Sequence, residues 1–102
     1  MKKLYTFLVV MLLSSYSFSQ LIITELADPN NNSGARYVEI YNQSNSDVDL
    51  TDWELRRWTN GNAGPQNTGI DLSSIGLLSS GSFVIISPNG GEFESVYGFA
   101  PD

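Results

Sequence analysis

The chain has 102 residues, five lysines and arginines against eleven acids, and neither histidine nor cysteine. That length bounds it to one small domain, and the missing imidazole and thiol exclude serine–histidine and cysteine–histidine catalysis within it. The formal net charge of −6 repels phosphate backbones, so sequence-independent nucleic-acid binding is disfavoured.

The chain opens as an export signal. Lys2 and Lys3 make a basic start, residues 4–13 form an apolar run, and a small-residue stretch ends in a Ser17-x-Ser19 pattern before Gln20. The pattern predicts a signal peptide at 1–19, cleaved between Ser19 and Gln20. The apolar run falls short of the roughly 20 residues that span a bilayer. The expected product is therefore secreted or held at the cell surface, with no transmembrane segment after cleavage. Its three arginines, Arg36, Arg56 and Arg57, stand against all eleven acids, a formal charge of −8. Small exported domains often rely on disulfides. Without cysteine, this one must rely on apolar burial and a complete hydrogen-bonded sheet.

Strand signals dominate residues 20–102. Residues 21–26 (LIITEL) are apolar and β-branched, and 28–34 (DPNNNSG) are almost wholly turn formers. Residues 37–42 (YVEIYN) alternate: Val38 and Ile40 face one way, Tyr37, Glu39 and Tyr41 the other. The charge on the second face assigns Val38 and Ile40 to the core. After a polar turn at 43–47, Leu50 begins a second strand region in which Trp53 and Leu55 share the inner face. A loop with Asn60-Gly61 and Gly64-Pro65 leads to a short strand at 70–72. Residues 82–87 (SFVIIS) read as a strand buried on both faces, adding Phe83 and Ile85 to the core with Leu50. Residues 92–97 fit one helical turn, with acid near its start. Five or six short strands without a sustained helical period predict an all-β, antiparallel sandwich. No closing strand follows Ser87, so the sandwich is expected to be incomplete at its C-terminus.

Four segments in this order, 22–26 (IITEL), 37–42 (YVEIYN), 49–55 (DLTDWEL) and 77–86 (LLSSGSFVII), resemble the lamin tail domain, in its bacterial secreted form. The resemblance spans roughly residues 21 to 100. It implies an immunoglobulin-like sandwich and a non-catalytic interaction or targeting module at the N-terminal part of a larger exported protein. It also implies further strands beyond Tyr97, and it carries no catalytic residues. Its partner would be a protein or cell surface; an accessory domain of a secreted hydrolase or nuclease encoded downstream is an alternative.

Three constellations suggest chemistry. Asp28, Asn30, Asn32 and Glu39 place oxygens at positions one, three, five and twelve, the spacing of a calcium loop. Ser33 stands where such a loop needs glycine, however, and Glu39 reads as strand; no other cofactor is expected. Trp58, Tyr37 and Tyr41 offer flat rings for a glycan, which makes a carbohydrate-binding module the alternative reading. Asp49, Asp52, Glu54 and Asp71 supply carboxylates whose separation no motif fixes, and acids on strand edges commonly block edge pairing. The chain is thus expected not to be an enzyme. Asn31 and Asn42 also head glycosylation sequons.

Overall fold

The computed structural model describes residue 3 and residues 20–66 and 69–102. Apart from Lys3, the expected export signal lies outside the described residues. The elements run β1 (Leu21–Ala27), β2 (Tyr37–Asn42), β3 (Val48–Asp49), β4 (Glu54–Leu55), β5 (Ile70–Asp71), β6 (Leu77–Leu78), β7 (Phe83–Ile86) and α1 (Gly90–Tyr97). Pairing is antiparallel throughout. One layer is the three-stranded sheet β1-β2-β7. The second consists of two short ribbons, β3-β6 and β4-β5. Residues 20–102, as far as they are described, therefore form an all-β antiparallel sandwich with one short α-helix.

The alternation in β2 builds the core. Ile40 is buried and Val38 half-buried on the inner face, beside Val84 and Ile86 of β7. Val48, Leu50, Leu72 and Leu78 meet them from the second layer, with Leu21, Leu55 and Ile75 packed around this cluster. Leu50 and Leu72 lie in turns rather than strands, yet both are buried.

Two expected core residues are corrected. Trp53 is 40% exposed. The Trp53 amide donates to the Leu50 carbonyl (3.0 Å), and Asp52 takes a positive φ of 65°. Residues 50–53 are thus a turn, and counting alternate positions across a turn assigns the wrong face. Phe83 is 56% exposed because it pairs with Tyr41 on the outer face of β2. Ile85 shares that outer face and is buried. Asp102 covers its backbone: the Asp102 amide donates to the Ile85 carbonyl (2.9 Å) and the Ile85 amide donates to the Asp102 carboxylate (2.8 Å).

The outer face has its own apolar layer. Helix α1 starts at Asn89, whose side chain accepts from the Glu92 amide (3.2 Å), as a helix N-cap should. It ends at Gly98 in the left-handed conformation (φ 81°), which glycine adopts at little cost. Between these caps it sets Phe93, fully buried, edge-on to Tyr37 with ring centroids 5.5 Å apart. Tyr97 and Phe99 complete the cluster. The helix is longer than the single turn expected from sequence.

The two layers are joined through Asn42, the last residue of β2 and fully buried. Its Nδ2 donates to the carbonyls of Ser46 (2.8 Å) and Leu78 (2.9 Å). Its Oδ1 accepts from the Ser44 amide (3.0 Å) and hydroxyl (2.7 Å). Burial also closes the Asn42 sequon to a glycan in the folded chain. Asn42→Ala leaves two inward carbonyls unsatisfied and is expected to cost about 3 kcal/mol, read as a lower denaturant midpoint. Asn42→Asp should cost at least as much, because a carboxylate would face the same two carbonyls. A loss under ~1 kcal/mol for both would contradict this role.

Candidate functional site

The ribbons of the second layer are only two residues per strand, so they cover part of the inner face of β1-β2-β7 and leave the rest open. The result is a cleft of about 810 Å³ between the layers, a size within the range of ligand pockets. Its walls are Ile23, Leu26, Val38 and Ile86 from the first sheet and Leu55 and Ile70 from the second, with Trp58 at the edge. Leu26 is 71% exposed and Trp58 55%. A bulge lies between Ile23 and Glu25. It keeps Ile23, opposite Ile40, and Leu26, opposite Val38, on the same inner face.

Trp58 is held there by a tight loop. Asn60 and Gly61 both take positive φ (53° and 71°), and the Asn62 amide closes on the Thr59 carbonyl (3.0 Å). Asparagine and glycine are the residues that tolerate such a turn. Gln66 ties the loop shut: its amide donates to the Arg57 carbonyl (2.7 Å), and its Oε1 accepts from the Thr59 hydroxyl (2.7 Å) and from Arg57 (3.2 Å).

All three arginines of the chain border this cleft. Arg36 is paired with Asp28 (3.0 Å), and Arg56 with Glu54 (2.6 Å). Arg57 forms no ion pair with a carboxylate among the described residues, and its bond goes to the neutral Gln66 amide. Asp28 is the one acid in the lining. The cleft is thus an apolar trough with a positive lip in an otherwise acidic chain.

The expected calcium set is not assembled. The Asp28 carboxylate serves Arg36. The Asn32 amide accepts from the Gly34 amide (3.1 Å) and donates to Glu92 (2.9 Å), anchoring the loop to α1. Asn30 sits in left-handed backbone in a single 3-10 turn, and Glu39 lies on the outer face of β2, where it accepts from the Thr24 hydroxyl (2.7 Å). A neighbouring arginine and the strand direction override the oxygen spacing. Among the described residues no group of three or more acids is placed to hold a metal ion.

The expected aromatic platform is also corrected. Tyr37 borders the cleft but stacks its ring edge-on against Phe93 and Tyr97. Tyr41 is outside the cleft lining, on the outer face of β2. Only Trp58 presents an open ring to the trough.

Two of the remaining expected acids, Asp49 and Asp71, hold turns. Asp49 Oδ1 accepts from the Thr51 amide (2.9 Å) and hydroxyl (2.7 Å), and Asp71 Oδ1 from the Ser73 amide (2.9 Å) and hydroxyl (2.6 Å). These bonds hold both carboxyls below their ordinary value. Sequence reading missed the arginine lip, because Arg36 lies 20 positions before the adjacent Arg56 and Arg57 and joins them only in the fold.

Antiparallel strands in two layers define an immunoglobulin-like sandwich module. Residues 14–99 match the Lamin Tail Domain family, and the chain belongs to it. No curated protein and no solved structure matches the chain.

Tyr37 supplies a pH signature of the outer layer. Partial burial, a hydrogen bond to Glu25 and the nearby charge of Glu25, Tyr97 and Glu39 push its hydroxyl up to about 12 from 10.0. The folded state therefore resists ionisation that the unfolded chain allows. This contribution to stability is complete below pH 10 and is lost as pH rises through about 12. Tyr37→Phe should flatten that alkaline loss when denaturant midpoints are compared across the window; an identical loss would assign it to other groups.

Proposed function

We propose that this chain is a non-catalytic interaction module, exported by its N-terminal signal and working within a larger protein that it positions at a partner or cell surface. The observation that carries this reading is the cleft: apolar surface left open between the layers and edged by every arginine of the chain. Open apolar surface with a polar rim is characteristic of interaction sites. Membership of the lamin tail family, an immunoglobulin-like family without a catalytic signature here, supports it. The engagement of Asp49, Asp71 and Glu54 in turn bonds and an ion pair supports it too. Secretion rests on the basic, apolar and small-residue order of the first nineteen residues.

The test is photo-crosslinking in the producing cell, with the crosslinker placed at Trp58 in one strain and at Trp53, on the turn after β3, in another. A discrete adduct from Trp58, on a chain whose mature N-terminus is Gln20, is the expected result. No adduct from either position, or hydrolytic turnover by the purified chain that Asp49→Asn and Asp71→Asn abolish, would overturn the reading.

A further inference from the structure

The chain holds two asparagines followed by glycine, Asn60-Gly61 and Asn89-Gly90, and the fold treats them in opposite ways. Glycine has no Cβ to crowd its own amide nitrogen, so that nitrogen can reach the side chain of a preceding asparagine. At Asn89-Gly90 the groups are held apart. The Asn89 carbonyl accepts from the Phe93 amide (3.0 Å), and its Oδ1 accepts from the Glu92 amide (3.2 Å). Gly90 is the first residue of α1, and a Cβ there would lie 3.6 Å from the Pro101 ring.

At Asn60-Gly61 nothing holds them. Asn60 is exposed in the loop between β4 and β5. Among the described residues, the Asn60–Gly61 peptide has no hydrogen-bond partner at its carbonyl or its amide, and the Asn60 side chain has none either. A Cβ built on Gly61 would meet nothing within 4 Å. The bonds that close the loop pass this peptide by, running from Asn62 to Thr59 and between Gln66 and both Arg57 and Thr59.

We propose that Asn60 is a site of spontaneous deamidation, and that its conversion is a slow, one-way change in the loop that sets Trp58 at the cleft edge. The Gly61 nitrogen bonds to Asn60 Cγ and the bond from Cγ to Nδ2 breaks. Nδ2 leaves as ammonia with the proton given up by the Gly61 amide. Water, the one co-reactant, then opens the five-membered imide to aspartate or, from its other carbonyl, to isoaspartate. Either product adds a negative charge to the loop that carries Arg57, whose bond goes to a neutral amide. Isoaspartate also routes the main chain through the former side chain, one carbon longer. A turn of two residues closed by the 3.0 Å bond from Asn62 to Thr59 has no slack for that carbon, so the closure next to Trp58 is lost.

The experiment keeps the full chain, carrying Trp53→Phe so that Trp58 is its single tryptophan, in warm, mildly alkaline buffer. Peptide mass mapping reads acid against amide at positions 60 and 89. Labelling by an isoaspartyl methyltransferase reads the isoaspartyl share, and Trp58 emission reads the loop. In the folded chain Asn60 is expected to convert at least about tenfold faster than Asn89, which must first open locally. In guanidinium chloride the two should convert at similar rates. Trp58 emission should shift in step with the isoaspartyl share. Asn60→Gly suits the positive φ of 53° and lacks the side-chain amide, so it should abolish the shift. Equal rates in the folded chain, an Asn60 that does not convert, or conversion with Trp58 emission unchanged would each overturn the proposal. So would a tenfold gap that persists in guanidinium chloride, since the fold would not be its cause.

Discussion

The two layers of this domain are held at a fixed spacing by one buried amide. The ribbons of the second layer have two residues per strand, too few to set their own position against the first sheet by pairing alone. Asn42 does it for them. Its side chain bonds the turn that leads into β3 and the carbonyl of Leu78 at the end of β6. Its backbone meanwhile joins the turn before β7: the Asn42 amide donates to Ser82 (2.9 Å), and its carbonyl accepts from Gly81 (2.9 Å). Six bonds from one residue tie together β2, β3, β6 and β7. In a domain without disulfides, a fully satisfied buried network is an effective substitute, because any alternative packing strands polar groups away from water.

The same local chemistry recurs at two further strand exits. Asn42-Gln-Ser44, Asp49-Leu-Thr51 and Asp71-Leu-Ser73 each fold an oxygen back onto the amide and hydroxyl two residues later. The two leucines between the aspartates and hydroxyls, Leu50 and Leu72, are thereby turned inward and buried. The turns also brace each other. Leu72 donates to the carbonyl of Trp53 (3.0 Å), and Asp52 donates to the hydroxyl of Ser73 (3.2 Å). Acids that look like candidates for chemistry are therefore the turn-formers of the second layer, and their lowered pKa values report hydrogen bonding to the charged form.

These details mark where the sequence was readable. Strand β2 was legible because six uninterrupted residues alternate, and Val38 and Ile40 lie on the face expected. Strand β7 was legible as a strand but not by face: apolar residues cover both sides, and only the helix on one side and the second layer on the other decide which are buried. Phe83 lies on the outer face and remains largely exposed. Trp53 was misplaced because the Asp52 turn resets the alternation. The calcium spacing from Asp28 failed because Arg36, eight residues on, claims the carboxylate. The cleft was not legible at all. Ile23 and Ile70, Arg36 and Arg57 are distant in sequence, and their meeting depends on how little of the sheet the short ribbons cover.

That incomplete cover has an energetic consequence. A longer second layer would have buried Ile23 and Leu26 and added apolar stabilisation of order 25 cal/mol per Å². Instead the open stretch coincides with the positive lip, and the two features reinforce each other. An exposed sheet edge with apolar residues invites indiscriminate pairing, including self-association. Asp49, Asp71 and Glu92 are committed to turns and the helix contact, which leaves the lip the one place where positive charge gathers.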